Sequence, residues 1–370
     1  MSIFIPEDII INILTRLSVK YLSRFRCVCK SWYNLIKNPH FANLQLNHSM
    51  KYGGDHGIIY YNCESYDEKI CFCVDYDSSS SSLSNSVVQI DYPSEHGMVD
   101  IIGSCNGLIC YRSYEKDLIL WNPYTKDYKK ISPPPTEADL IRGSFNFYFY
   151  CKYGFGYDSK TDDYKFARMA KCQGSSIEIS VYSLKLNLWK TYRDIPFIFP
   201  FHDDLVFFEG SFHWVQFPAW DSDLPIMIAS FEIGTETFKD IPLPQHFSNK
   251  FNKIYVRLLR GCLCLIGGRY KMAFSEVWMM KDYGVHESWT KMFTIPEPSG
   301  GDLVSFGCLN LKHSFRNNVT LVQVDRTRSY LYDLQHKKFR KLEINDHTVF
   351  HTWAFSGSLV SPNNLGTWIQ

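Results

Sequence analysis

The sequence predicts a small all-α domain followed by an all-β domain, a six-bladed β-propeller. Three observations predict this arrangement. Apolar residues in the first fifty positions follow the spacing of short helices, and from about residue 56 they alternate in short runs separated by turns. These runs recur with a period close to that of one propeller blade. With 370 residues, the chain is long enough for two domains.

Composition argues against several classes of function. Apolar residues make up 45% of the chain and charged residues 21%, which is typical of a globular protein. The formal net charge of +1 argues against a protein that binds nucleic acid or an anionic membrane mainly through its charge. Because the sequence shows neither an apolar run long enough to span a membrane nor a signal peptide, we expect a location in the cytoplasm or the nucleus.

Three short helices are predicted before residue 40. Pro6 suits the first position of a helix, and the apolar residues that follow it lie three and four positions apart. The second helix contains Leu22 and Phe25, and the third contains Trp32 and ends at Asn38-Pro39. Such a small unit has more apolar surface than its own core can cover, which predicts docking against another helical surface. The alternative is that it caps the main domain of the same chain.

The segment 6–36 is the most specific motif in the chain. It reads PEDIIINILTRLSVKYLSRFRCVCKSWYNLI and closely resembles an F-box of the kind common in plants. The resemblance implies that residues 1–46 bind the adaptor SKP1 and, through it, the cullin and RING subunits of an SCF-type ubiquitin ligase. Because large central side chains dominate interface energies, Phe25 and Trp32 are expected to be the main anchors. The SKP1-facing residues implied by the resemblance are Pro6, Ile10, Ile13, Leu14, Leu17, Leu22, Phe25, Val28 and Trp32.

Five hairpins repeat along the rest of the chain. Each has a strand with a central aromatic residue, a polar turn, and a second strand that opens with an aromatic residue. The central aromatics are spaced 61, 49, 47 and 54 residues apart, and they are Trp121, Tyr182, Phe231, Trp278 and Tyr332. The mean spacing of about 53 matches a four-stranded, kelch-like blade, so the region from residue 50 onwards would hold about six blades.

The sixth blade is predicted to combine both ends of the β domain. Strands near 57–61, 69–75 and 87–91 would be closed by strands near 349–355 and 358–361, which would hide the sheet edges. The serine-rich segment 78–86 is expected to be a loop. A flat β-sandwich is the alternative fold, because the Gly-Gly doublets of kelch repeats are nearly absent.

Motifs in this region resemble the F-box-associated domain of plant F-box proteins. They include SCNGLIC at 104–110, LWNPYT at 120–125, YGFGYD at 153–158 and GSLVS at 357–361. The resemblance implies a propeller at 55–365, closed by a GSLVS strand, that selects a protein for ubiquitination. Two alternatives are an F-box protein that acts outside a ligase and a pollen S-locus F-box protein that recognises a secreted ribonuclease.

The sequence contains no nucleophile elbow, phosphate-binding loop or zinc-protease motif, so we expect no catalytic residue, cofactor or metal site. His347 and His351 are four positions apart, but in the predicted strand this separates them by about 13 Å. Several cysteines form C-x-C pairs, at 27/29, 71/73 and 262/264. We interpret these pairs as core residues rather than metal ligands.

Target recognition is expected in the loops of one propeller face. Two aromatic and acidic segments, 197–204 and 217–221, supply the candidates, which are Phe199, Phe201, His202, Asp203 and Trp220. The aromatic run FNFYFY at 145–150 is interpreted as a buried strand. The identity of the target protein is beyond the sequence.

Overall fold

A computed structural model gives the fold of most of the chain. Its residues cluster into two compact units, unit 1 (Met1–Ser132 with Thr352–Gln370) and unit 2 (Pro133–His351). Among the described residues, no helix is long and apolar enough to cross a membrane. The described residues are 5–61, 71–77, 82–83, 87–93, 98–113, 117–134, 151–172, 177–193, 195, 205–217, 225–247, 251, 253–268, 274–296, 309–315, 317–324, 328–342 and 351–364.

Unit 1 opens with four helices, one more than the sequence predicts. The first, α1, begins after Pro6, and its first turn carries Glu7 and Asp8, whose charges suit the positive end of the helix dipole. The helices are α1 (Glu7–Thr15), α2 (Val19–Phe25), α3 (Lys30–Lys37) and α4 (Pro39–Tyr52).

The predicted end of the third helix is also the start of the fourth. Pro39 occupies the first turn of α4, and the side-chain oxygen of Asn38 accepts a hydrogen bond of 2.8 Å from the backbone N–H of His40. Helix α4 extends past residue 46, and it buries Phe41 and Leu46. An Asn-Pro pair can therefore both end one helix and cap the next, which is why the prediction of three helices was wrong by one.

The β region contains six antiparallel sheets, numbered here in the order of the chain. Sheets 1 and 2 belong to unit 1, apart from His351, and sheets 3 to 6 belong to unit 2. Sheet 1 combines β1 (His56–Tyr61), β2 (Cys71–Asp77), β3 (Ser82–Leu83), β4 (Val88–Gln89) and β25 (His351–Ser356). Sheet 2 contains β5 (Met98–Cys105), β6 (Leu108–Ser113), β7 (Leu118–Trp121) and β8 (Tyr128–Ile131).

Each sheet of unit 2 is a meander of four consecutive strands. Sheet 3 contains β9 (Cys151–Asp158), β10 (Asp163–Lys171), β11 (Ile177–Ser183) and β12 (Leu188–Tyr192). Sheet 4 contains β13 (Val206–Phe208), β14 (Ser211–Gln216), β15 (Met227–Glu232) and β16 (Thr237–Pro242). Sheet 5 contains β17 (Lys253–Leu259), β18 (Cys262–Gly268), β19 (Phe274–Met280) and β20 (Trp289–Pro296). Sheet 6 contains β21 (Asn310–Ser314), β22 (Val319–Gln323), β23 (Ser329–Asp333) and β24 (Lys338–Lys341).

The five predicted hairpins are confirmed as the third and fourth strands of sheets 2 to 6. In each, the aromatic residue on the third strand pairs with one on the fourth or lies near it, as in Trp121 with Tyr128 and Tyr332 with Phe339. Four of the hairpin turns place one residue in the left-handed region just before the fourth strand, at Lys126, Asn187, Glu236 and Lys337. These four hairpins therefore share a turn conformation as well as a strand pattern.

Sheet 1 joins both ends of the β region, as predicted. Strand β25 lies next to β1, and β1 pairs with β2 from His56 opposite Tyr76 to Tyr61 opposite Cys71. Two details of the prediction were wrong. Residues 358–361 do not form a strand, and the expected serine loop contains the short strand β3. The run FNFYFY and His347 lie outside the described residues.

Candidate functional site

Helix α1 presents one apolar face to solvent and buries the opposite one. Ile9 and Ile13, one helical turn apart, are both exposed, and Ile13 keeps 54% of its surface. Leu14 on the other side is only 1% exposed, because it packs in a cluster with Ile36 and Phe41. The apolar arc of α1 is therefore divided between the core of unit 1 and an open surface.

The segment from α2 to α3 also leaves apolar side chains exposed. The rings of Phe25 and Trp32 lie 5.6 Å apart and are half-buried against the same cluster as Leu14. Val28, in the turn between the two helices, is 61% exposed, whereas Leu22 on α2 is fully buried. Phe25 and Trp32 thus serve the helical core and the surface at once.

Exposed apolar side chains are concentrated on the helices. Among the described residues, nine of the eighteen large apolar side chains that are exposed lie between residues 5 and 52. Soluble proteins rarely leave clustered apolar surface uncovered unless it has a partner. The nine residues are Ile5, Ile9, Ile13, Tyr21, Val28, Tyr33, Leu44, Met50 and Tyr52.

The surface of the helices is also basic. From residue 9 to residue 54 the sequence holds seven Lys and Arg residues and no Asp or Glu. Lys20 forms an ion pair of 2.7 Å with Asp75 of β2, and the ammonium of Lys37 lies 4.7 Å from the ring centre of Tyr33. The excess positive charge would attract an acidic partner.

Among the described residues, three contacts attach the helices to the β region of unit 1. The carboxylate of Asp55 accepts a hydrogen bond of 2.8 Å from the backbone N–H of Val19 at the start of α2. Lys20 reaches Asp75, as described above. Leu359 is buried in the helical cluster, and Tyr124 packs against it. These contacts fix the helices to sheets 1 and 2.

A buried asparagine holds the segment that carries Leu359. Asn122, in the LWNPYT motif, is fully buried, and its side-chain N–H groups donate to the carbonyls of Ser358 at 3.0 Å and Val360 at 2.7 Å. Its side-chain oxygen accepts from the backbone N–H groups of Tyr124 and Thr125. The resemblance implies that residues 358–361 form a closing strand. In the structure they form no strand, and the side chain of Asn122 holds them in place instead.

The members of the implied SKP1-facing set differ in exposure. Leu14 and Leu22 are both buried in unit 1. Pro6, Ile13 and Val28 are exposed, while the half-buried members are Ile10, Leu17, Phe25 and Trp32. Ile5 and Ile9 are exposed apolar neighbours that the set omits. In the sequence, the signal for Ile9 is its place beside Ile10 and Ile11, which widens the apolar arc of α1 beyond one stripe.

The candidate target-binding residues Phe199, Phe201, His202, Asp203 and Trp220 lie outside the described residues. Within the part of the chain that the structure does describe, no group of three or more His, Cys, Asp or Glu side chains could hold a metal ion.

Comparison with known proteins decides the family. A model of the F-box domain matches residues 4–44, and a model of the F-box associated beta propeller domain matches residues 57–362. The chain belongs to the F-box proteins with an F-box-associated β-propeller. The six sheets and this match together confirm the predicted fold class of short helices followed by a six-bladed β-propeller.

The chain matches curated F-box proteins along most of their length. The chain is 33% identical to the F-box protein CPR1 of Arabidopsis thaliana over 92% of this chain and 85% of that protein. It is 29% identical to the F-box/kelch-repeat protein At3g23880 of the same plant, over 79% of each chain. A solved oligogalacturonate lyase from Vibrio parahaemolyticus has a TM-score of 0.41 at 8% identity, over 79% of this chain and 80% of that one.

Proposed function

We propose that this F-box protein is the substrate-recognition subunit of an SCF-type ubiquitin ligase. The F-box binds a SKP1-like adaptor, which connects the chain to cullin and RING subunits, and the propeller binds a target protein. The chain acts without catalysis of its own, since holding a target close to the reacting subunits raises the effective concentration of the reactants. We further propose that it works in the cytoplasm or the nucleus.

The observation that carries this proposal is the uncovered apolar surface of the F-box. Ile13 and Val28 are both more than half exposed, and they lie on a family-matched F-box with an excess of positive charge. Burying a side chain of this size is worth about 1.5 to 3 kcal/mol, of which part is lost to the cost of association. Such a surface fits an adaptor with an apolar centre and an acidic rim.

Copurification from plant cells tests the proposal. The full chain should retain a SKP1-like adaptor together with cullin and RING subunits, and Val28→Asp should lose all three. Leu186→Asp is the matched control, because Leu186 is equally exposed, at 66%, but lies outside the F-box. Copurification of the adaptor without cullin and RING would instead indicate an F-box protein that acts outside a ligase. Adaptor binding that survives Val28→Asp and Ile13→Asp together would refute the proposed surface.

Proximity labelling would identify the target protein. Proteins labelled by the full chain should accumulate when the proteasome is inhibited, and the Val28→Asp variant should label the same proteins without causing their loss. A fluorescent fusion of the chain checks the proposed location in the same cells.

A further inference from the structure

Two cysteines lie on the open surface of the F-box. Cys27 and Cys29 occupy the turn between α2 and α3, on either side of Val28, and both are exposed. Cys29 is the extended residue just before α3, and its side chain makes no capping hydrogen bond. The interpretation of this C-x-C pair as core residues is therefore wrong, because the pair lies in a turn and not in a strand.

The other described cysteines are less exposed than this pair. Four are buried and four are half-buried. Burial raises the pKa of the Cys73 thiol and of the Cys264 thiol to about 12, so both stay protonated at neutral pH. Since the thiolate is the reactive form, these groups react slowly with disulfides and oxidants. Cys27 and Cys29 are thus the exposed thiols in the described part of the chain.

The surroundings of the pair favour an anionic reagent. Arg24 and Lys30 are exposed within three residues of the two thiols, and Arg26 precedes Cys27 directly. Among the described residues, Asp55 just before β1 and Asp75 of β2 place their carboxylates on Val19 and Lys20, at the other end of α2. An anionic disulfide that approaches the turn therefore meets positive charge.

We propose that Cys27 and Cys29 form a thiol-modification site that accepts a small anionic disulfide, of which glutathione disulfide is the model, and that modification there blocks adaptor binding. This inference rests on the proposed function, since the block requires that the adaptor covers Val28. A glutathione tripeptide attached to Cys27 or Cys29 would lie beside Val28, in the space that the adaptor would otherwise fill.

The reaction is a thiol–disulfide exchange. A cysteine thiol of the pair loses its proton to solvent, and the resulting thiolate attacks one sulfur of glutathione disulfide. A new sulfur–sulfur bond forms to the protein while the glutathione disulfide bond breaks, and one glutathione thiolate leaves. A reducing thiol such as dithiothreitol reverses the exchange, so the modification is a switch rather than damage.

The experiment uses the purified full chain and a SKP1-like adaptor. The chain is treated with glutathione disulfide, and trypsin, which cleaves after Arg26 and Lys30, then releases both cysteines in one peptide, residues 27–30. We expect the glutathione adduct on that peptide and adaptor binding weakened by about tenfold or more, the loss that follows when one well-placed contact is removed. Dithiothreitol should restore binding.

Variants separate this site from other thiols. The double variant Cys27→Ser with Cys29→Ser should bind the adaptor whether or not glutathione disulfide is present, whereas Cys172→Ser, at a half-buried cysteine of unit 2, should remain sensitive. Adducts confined to other peptides, or full binding by a chain modified on peptide 27–30, would overturn the inference. If the reduced chain fails to bind the adaptor, the proposed function fails, while the peptide map still tests the thiol site.

Discussion

The carboxylate of Asp55 caps α2 through the backbone N–H of Val19, thirty-six residues earlier in the chain, at 2.8 Å. Helix α2 begins without a capping hydrogen bond from its own Ser18, so a residue next to the first strand of the β region supplies it. The backbone carbonyl of Asp55 also accepts a hydrogen bond of 2.7 Å from Gly357, just after the last strand. One residue thus connects the F-box to the first and the last strand of the β region.

Replacing Asp55 should loosen this junction. We expect Asp55→Ala to lower the free energy of unfolding by about 0.5 to 2 kcal/mol, since it removes a helix cap and a charge that suits the helix dipole. Chemical denaturation measures the change, and hydrogen exchange should rise in residues 19–25. Asp91→Ala, at an exposed position, is the control. Equal stability of the two variants would show that the contact contributes nothing.

Replacing Asn122 should release the segment that carries Leu359. Asn122→Ala leaves the carbonyls of Ser358 and Val360 without their donor, and each buried unsatisfied group costs about 1 to 3 kcal/mol. Thermal unfolding should therefore occur at a clearly lower temperature than in Asn363→Ala, an exposed change in the same segment. An unchanged melting temperature would contradict the role assigned to this amide.

Substitutions at two glycines should distinguish the energetic cost of a left-handed backbone conformation from that of a steric clash. Gly107 and Gly261 occupy equivalent turns with φ of 79° and 75°. A Cβ at Gly261 would meet nothing within 4 Å, whereas at Gly107 it would lie 2.2 Å from the Cβ of Ser358. Gly261→Ala should cost about 1 to 2 kcal/mol, the price of a left-handed residue, and Gly107→Ala should cost more in the same denaturation experiment. Equal losses would mean that the Ser358 segment moves aside freely.

His213 should make stability depend on pH. Its Nδ1 lies 3.2 Å from the carbonyl of Val206, which can only accept, so Nδ1 carries the proton and Nε2 accepts from the hydroxyl of Tyr283 at 2.8 Å. Burial lowers the pKa of His213 from 6.5 to about 4. The unfolded chain therefore binds this proton first, and the stability is full above about pH 6.5 and falls as the pH drops towards 4.

Denaturation at pH 7 and at pH 5 measures this effect. His213→Gln should be less stable at pH 7 but should lose less stability than the wild type between the two pH values. His40→Gln, at an exposed histidine of α4, should keep the wild-type dependence. If the pH dependence of stability were the same in all three proteins, His213 would not contribute to it.

Variants at Phe25 and Trp32 should give a mixed result in adaptor binding. The sequence resemblance places both rings at the adaptor, but the structure also packs them against each other and against the helical cluster. Phe25→Ala and Trp32→Ala should therefore weaken adaptor binding and also lower the melting temperature. The loss of stability is about 3 to 5 kcal/mol for a fully buried ring and should be smaller here, because both rings are half-buried. Val28→Ala should weaken binding with little effect on melting. Loss of binding without loss of stability at Phe25 would assign that ring wholly to the interface.

Deleting the F-box should not leave the β region unaffected. Deletion of residues 1–46 would uncover Leu359 and Tyr124, which pack against the helices. We expect the truncated chain to unfold at lower temperature than the full chain and to aggregate more readily. An unchanged melting temperature would show that the helical contact is energetically neutral.

The local sequence pattern determines most of the helices and hairpins of this protein. Apolar spacing predicts the first three helices, and the repeat of aromatic residues around turns predicts the hairpins, because helix and hairpin geometry depend on residues that are near in sequence. The same pattern predicts that β25 joins β1, since a domain built from blades of about 53 residues leaves an incomplete one at each end.

Tertiary structure alone decided which apolar residues of the F-box remain open. Leu14 and Ile13 are adjacent in sequence and equally apolar, yet one is buried and the other exposed, because α4 and Leu359 cover only one side of α1. The cap of α2 by Asp55 and the exposure of Cys27 are of the same kind. Each depends on contacts between residues far apart in the chain, and spacing within a single segment carries no information about them.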